Sequence, residues 1–266
     1  KILVGSIVAV TIFAALAFVS KDILTSRAGS GVETIEGIDG KNKKLDIKAL
    51  KSPGMCRKIY LKAEPKINDD AIFKRVLRLC RTSYAAHYDP MVKMPLSITV
   101  NLKWSNLKDR TIMPPPAPFK DPDFPIKEIP SADDYLTTGY YQQSFLTDYK
   151  DFVKNSNDKW TDQTYVKVNQ KTYAEGSYAS ITFPVVKYNF IEGIWEDLNK
   201  KTYKDLEKHK KLTIIMGPVF FKGQSLGILG ETKIPIPTHF YKIIYNERRR
   251  GASVYVFPNK EIITAT

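Results

Sequence analysis

A chain of 266 residues with 43% hydrophobic and 12% aromatic content can bury a core and suits one ordinary domain with additions, which excludes disorder of the whole chain. Its 41 Lys and Arg against 28 Asp and Glu give a formal charge of +13. That balance favours an acidic partner, whether nucleic acid, an anionic membrane surface or acidic protein subunits, and does not choose among them.

The N-terminal stretch ILVGSIVAVTIFAALAFVS, residues 2–20, runs uncharged between Lys1 and Lys21. At about 1.5 Å per residue, roughly 19 residues reach close to 30 Å, the thickness of a bilayer's hydrocarbon layer, so the stretch is read as a single-pass anchor in the lipid bilayer. A secretory signal peptide and a buried core helix are the competing readings. Residues 1–22 are assigned to this span. Residues 23–56, rich in Gly, Ser and charge with little apolar periodicity, are assigned to a tether. Residues 57–266 are assigned to one domain.

Cys56 and Cys80 are too far apart for a CxxC metal knuckle and too few for a disulfide scaffold, so free thiols are the first reading and one disulfide the second. In DAIFKRVLRLC, Ile72, Phe73, Val76, Leu77 and Cys80 trace a helical stripe, with a strand beginning near Leu79 as the alternative. Strand-like runs follow at TSYAAHY, LSITVNL, SYASITF, LTIIMGPVFF, HFYKIIYN and ASVYVF. GIWEDLNKKTYKDLEKHKK reads as a long helix with an incomplete stripe of Ile194, Trp195, Leu198 and Leu206. Many strands with few helices, not in strict alternation, indicate an α+β fold.

The order of several stretches resembles the DNA/RNA non-specific endonuclease family, of the mitochondrial endonuclease G-like kind, over about residues 79–260. LCRTSYAAHYDPMVKMP is similar to the family's opening hairpin and DYLTTGY to the lead-in to its catalytic loop. GIWEDL is similar to the start of its metal-site helix, TIIMGPVF to its central strand, and IPIPTHFYKIIYN to a later strand. The resemblance implies a central antiparallel sheet between helices, with a ββα-metal finger at the active site.

Carried over position by position, the resemblance places the family's Asp-Arg-Gly-His, whose His is the general base, at Tyr141, Gln142, Gln143 and Ser144. An unassisted serine hydroxyl does not take a proton near neutral pH. The metal-binding Asn falls on Ile191, which offers no oxygen to a hard divalent cation, and an acidic residue of the same helix falls on Asn199. No catalytic residue, metal site or cofactor is therefore expected, and the chain reads as a pseudonuclease, not an enzyme. Asn189, two residues from the expected metal position, keeps a weak metal site open beside its reading as a helix-start residue. Asp133 and Asp134 read as solvated or structural, and His87, His209 and His239 are the only histidines.

The function expected from the resemblance is that of a membrane-anchored accessory subunit at the mitochondrial inner membrane, with the domain in the intermembrane space. The host assembly expected is a respiratory-chain complex. Its partners would be other subunits of that complex, including a homo- or heterodimer with another endonuclease-like chain. The alternatives are a tethered protein that binds nucleic acid without cutting it, through residues such as Lys93 and Lys103, and an active nuclease with a rebuilt site. Nucleic-acid binding is expected to be at most weak.

Overall fold

The computed structural model describes residues 56, 59–60, 64–81, 83–107, 121, 124, 130–136, 139–147, 181–187 and 190–260. The expected membrane span and tether lie outside these residues, save Cys56. Among the described residues no helix is long and apolar enough to cross a membrane.

Helix α1 (Asp70–Arg75) begins where Asp69 accepts the Ile72 N–H at 3.0 Å, with an acidic residue in its first turn and Lys74 and Arg75 in its last. It ends at once, because Val76 is extended and strand β1 (Leu77–Cys80) starts beyond it. The second reading of this stretch therefore holds, with the strand starting earlier than Leu79. Phe73, counted in the apolar stripe, is half exposed. The end of α1 is fixed by Arg75, whose guanidinium grips the fully buried Asp89 carboxylate with bonds of 2.8 and 2.6 Å.

Strands β2 (Tyr84–Asp89), β3 (Met94–Lys103), β6 (Lys211–Val219), β9 (His239–Asn246) and β10 (Gly251–Pro258) join β1 in a six-stranded sheet of order β1-β2-β3-β6-β9-β10. Every neighbouring pair is antiparallel. Period-two alternation sorts the side chains. Leu96, Ile98, Val100 and Leu102 of β3, with Leu212, Ile214 and Met216 of β6, belong to the main core, which also takes in Leu198 and Leu206 of helix α4 (Glu196–His209). Helices α2 (Trp104–Leu107) and α3 (Asp133–Leu136) are single turns, and strands β7 (Ile228–Leu229) and β8 (Ile234–Pro235) pair with each other apart from the main sheet. This is the expected α+β fold with a central antiparallel sheet.

The other face carries Ser97, Thr99 and Asn101 of β3, opposite Thr213 and Ile215 of β6. Over β1–β3 it is covered by a second small core of Cys56, Ile59 and Tyr60 against Cys80 and Ala85. Cys56 and Cys80 form a disulfide, so the free-thiol reading is corrected. Sheet pairing seats Cys80 beside Ala85, and the segment that covers this face brings Cys56 onto it. Toward β9 and β10 the same face opens, with Val254 at 40% and Val256 at 52% exposure, and Val254 directly opposite Ile243.

Close approach sets one residue type. A Cβ on Gly217 would stand 2.2 Å from the Leu96 carbonyl oxygen, so β6 and β3 pair as they do only with glycine there. The non-glycine residues with left-handed backbone among those described are Lys93, Lys210, Lys222, Lys233 and Arg250, every one of them basic.

Candidate functional site

The positions singled out at 141–144 form strand β4 (Tyr141–Phe145), which pairs antiparallel with β5 (Thr182–Val186) in a separate hairpin. Gln142 faces Val185, Gln143 faces Pro184 and Ser144 faces Phe183. Gln143 Nε2 donates to Thr182 Oγ1 at 2.8 Å, so this amide ties the two strands together. The side chains of β4 are half-buried while every residue of β5 is buried. Tyr140 and Tyr141 meet edge to face at 4.9 Å, and burial, then the Tyr140 hydroxyl, raises the Tyr141 phenol above its ordinary value.

One residue sets where this hairpin sits. The Lys187 N–H bonds across to Tyr140, so by alternation the N–H and C=O groups of Val186 and Pro184 point the other way, toward the main sheet. There the buried Asn259 side chain accepts the Val186 N–H at 3.0 Å and donates to Pro184 O at 3.0 Å. Its second amide hydrogen reaches Pro237 O at 3.0 Å, beside β9. The carboxamide acts as a peptide group of an absent third strand. It also explains how Pro184 sits in a strand, since the N–H it lacks would lie on this outer edge. Sequence reasoning missed Asn259, because FPNK has only the appearance of a turn.

Beyond the hairpin, a π-helical turn, Phe190–Trp195, kinked at Gly193, leads into α4, and β5 packs against it. Trp195 is buried and donates from Nε1 to the Leu146 carbonyl at 2.9 Å, which locks the end of β4 to the start of the helix. Among the described residues, β4, β5 and α4 are thus tied to one another around Trp195 and Asn259. Ile191 lies in the kinked turn with its side chain packed against the core. Asn199 is buried one turn into α4, and its Oδ1 accepts from Lys242 Nζ at 2.5 Å. That ammonium is buried and lies 5.5 Å from the Trp195 ring.

The donor set at these positions does not fit a divalent cation. Position 191 supplies no oxygen, and the oxygen at 199 already faces a positive charge. Among the described residues there is no group of three or more His, Cys, Asp and Glu side chains able to hold a metal. Asn189 lies outside the described residues. Lys242 was visible in the sequence only as a charge inside a strand.

The remaining candidates are scattered. Burial pushes the Asp134 carboxyl up, but the Thr232 N–H at 3.0 Å and the Ser131 N–H at 2.8 Å outweigh it and hold the group below its usual range. Asp134 thus ties α3 to the 230–232 turn, where a Cβ on Gly230 would strike it at 2.3 Å. Asp133, its neighbour, is exposed. His87 is buried on the outer face of the sheet, stacked on Tyr60 at 5.5 Å and 3.0 Å from Ser97 Oγ. His239 sits at the β9 end, where burial and then Lys260 lower its pKa. His209 ends α4. Among the described residues, none of the three makes a hydrogen bond or ring contact with the β4–β5 hairpin.

Comparison with known proteins shows similarity both to a family model and to solved structures. A family model described as DNA/RNA non-specific endonuclease matches residues 71–266. A solved structure described as "Crystal structure of the EndoG/EndoGI complex: Mechanism of EndoG inhibition" superposes with a TM-score of 0.60 at 19% identity, covering 81% of this chain and 84% of that one. No curated protein matches. The expectation that the chain is not an enzyme is corrected here: the family it matches over residues 71–266 is one of endonucleases, so its class is enzymatic. Substituted residues at single carried-over positions do not outweigh a match of that length.

Proposed function

This chain belongs to the DNA/RNA non-specific endonuclease family, and from that premise we propose that it works as an accessory subunit of a mitochondrial inner-membrane assembly, most specifically a respiratory-chain complex. The carrying observation is the open apolar part of the outer sheet face. Val254 and Val256, at 40% and 52% exposure, lie on β10, which is the last strand of the sheet and has a free edge among the described residues. An exposed apolar edge strand is a liability in an isolated protein and a ready surface for another chain. The partner on that edge is another subunit of the assembly, a second nuclease-like chain included.

The Cys56–Cys80 disulfide supports a domain in the intermembrane space, since such bonds persist in oxidising compartments and are rare in reducing ones. Residues 2–20 would hold the chain in the inner membrane. At the positions onto which the resemblance carries the family's site residues, Tyr141, Gln142, Gln143, Ser144, Ile191 and Asn199 serve the hairpin and helix packing. The phosphodiester chemistry of the family uses a rebuilt site in this chain and not Ser144 or Ile191.

Native electrophoresis after mild detergent extraction, with mass spectrometry of the co-migrating band, tests the assembly. The chain is expected at the mass of a membrane complex, and Val254→Lys with Val256→Lys is expected to release it. Migration at the mass of the chain alone would overturn the proposal. Plasmid cleavage with Mg²⁺ or Mn²⁺ tests the site: any cleavage is expected to survive Ser144→Ala, and its loss in that variant would restore Ser144 to the chemistry.

A further inference from the structure

The end of the sheet opposite the His239 end collects positive charge from separate elements. Lys103 closes β3 and stands directly across from Lys211, which opens β6. Like charges in direct register on neighbouring strands repel, so this pair works against the stability of the sheet. Lys208, His209 and Lys210 end α4 at the same place, and the β9–β10 turn adds Arg248, Arg249 and Arg250. The turn and the helix end are close, since partial burial and then the Arg249 guanidinium, with Lys208 and Arg248, disfavour a charge on His209. The acids nearby are Asp205, paired with Lys201 at 2.7 Å, and the exposed Glu207 and Glu247. Lys103, Lys208, Lys210, Lys211 and all three arginines are exposed.

Conformation adds to the argument. Arg250 closes the turn with φ +51° and Lys210 caps α4 with φ +69°, backbone that glycine adopts without penalty and that costs other residues about 1 kcal/mol. The turn is shaped independently of its charges by the Asn246 side chain, which accepts the Arg249 N–H at 3.2 Å. Lys210 also lies 5.9 Å from the half-buried Trp104 ring, an aromatic side chain placed at the rim of the cationic surface.

The first described residues lie toward this same end. Ile59 offers its carbonyl to Asn101, two residues before Lys103, whereas Glu64 meets Arg78 at 2.9 Å, opposite His87 and farther from that end. Cys56, the first described residue, is bonded to Cys80, the last residue of β1, toward the Lys103 end of the sheet.

We infer that this basic end, formed by Lys103, Lys208, Lys210, Lys211 and Arg248–Arg250, is a docking surface for an anionic phospholipid membrane and stands the domain upright on the bilayer that its N-terminal segment enters. The inference rests on the proposed anchor, residues 2–20, which would hold the domain beside a membrane. Basic side chains near an anionic leaflet each strengthen contact about fivefold, and the effect is lost beyond a Debye length, so a surface held close by a tether gains most. Such docking would also leave the apolar edge of β10 facing sideways, within the plane in which neighbouring subunits lie.

The test is hydrogen–deuterium exchange of the full chain in nanodiscs of phosphatidylcholine alone and of a three-to-one mixture with phosphatidylserine. Exchange at Arg249 and Arg250 is expected to slow about fivefold or more in the anionic discs only, and to return to the neutral-disc rate in high salt. Neutralising the turn by Arg248→Gln, Arg249→Gln and Arg250→Gln should lower the docked-to-free ratio on the order of a hundredfold; Lys208→Gln with Lys211→Gln gives a second variant outside the turn, read at the same amides. Equal exchange in both compositions, or slowing by duplex DNA but not by anionic lipid, would overturn the inference. If the chain fails to enter discs of either composition, the anchor reading fails by itself. The basic end is then read by flotation of the chain with vesicles of the same two compositions, where equal flotation overturns it and selective flotation with the anionic vesicles supports it.

Discussion

Replacing Asn259 by alanine should loosen the hairpin that carries positions 141–144 while leaving the main sheet intact. The substitution removes the acceptor of the Val186 N–H and the donors to Pro184 O and Pro237 O, each bonded at 3.0 Å around a side chain only 1% exposed. A buried group left unsatisfied costs roughly 1–3 kcal/mol. The orphaned N–H sits at the upper part of that range and the two carbonyls at the lower, which gives a loss of about 3–5 kcal/mol for the set. Urea unfolding of the detergent-solubilised chain measures the total, and amide exchange locates it. Exchange at Val186 should accelerate, while Phe183 and Val185, whose N–H groups face β4 by alternation from Lys187, remain slow. Asn259→Asp keeps the acceptor and loses both donors, so it should protect Val186 and still cost stability. A loss below about 1 kcal/mol with unchanged exchange at Val186 would refute the role given to this side chain.

Further outcomes follow from other contacts. Gly217→Ala places a methyl 2.2 Å from the Leu96 carbonyl oxygen and should lower stability by about 1–3 kcal/mol in thermal unfolding. Cys56→Ser with Cys80→Ser opens a loop of sequence separation 24 and should cost about 3.5 kcal/mol on the chain-entropy estimate, read from the denaturant midpoint. Asn199→Leu takes an acceptor from the buried Lys242 ammonium and should cost about 2–3 kcal/mol, whereas Asn199→Asp should be better tolerated. The Asp134 carboxyl is held below its ordinary value, so its contribution is complete above about pH 4 and fades as the pH falls through the lowered value. Stability curves of wild type and Asp134→Asn should therefore run parallel at neutral pH and converge in acid.

How far these features could be read in advance depended on whether their cause was local. The alternation of Leu96, Ile98, Val100 and Leu102 with Ser97, Thr99 and Asn101 is a property of consecutive residues, and the β3 pattern in the sequence reappears as the two faces of the sheet. The switch from α1 to β1 was legible only as an ambiguity, since Val76 and Leu77 suit both periods and the Arg75–Asp89 pair that ends the helix spans two elements. Pairing of Cys56 with Cys80 depends on how a segment lies across β1–β3, which no spacing rule carries. At the site, the absence of oxygen at Ile191 was plain from its residue type. The ammonium of Lys242 beside Asn199 was not, because β9 and α4 meet only in the folded chain. Reading class from substituted positions failed for a related reason: a family is a property of the long match over residues 71–266, not of a few side chains within it.

The disulfide also decides how the domain bears mechanical load. Tension reaching the domain from residues before Cys56 passes through the sulfur bridge into Cys80 at the end of β1, so the chain between Cys56 and Cys80 lies off the load path. Cys80 sits opposite Ala85, with β2 hydrogen-bonded onward to β3. Pulling along the chain would then have to shear strands in the plane of the sheet instead of peeling α1 away first. With the bridge reduced, the same pull would strip Tyr60 from His87 and Ile59 from Asn101, then unwind α1, before any strand felt force. The redox state of one bond thus selects between a domain that resists traction as a whole and one that yields from its N-terminal side.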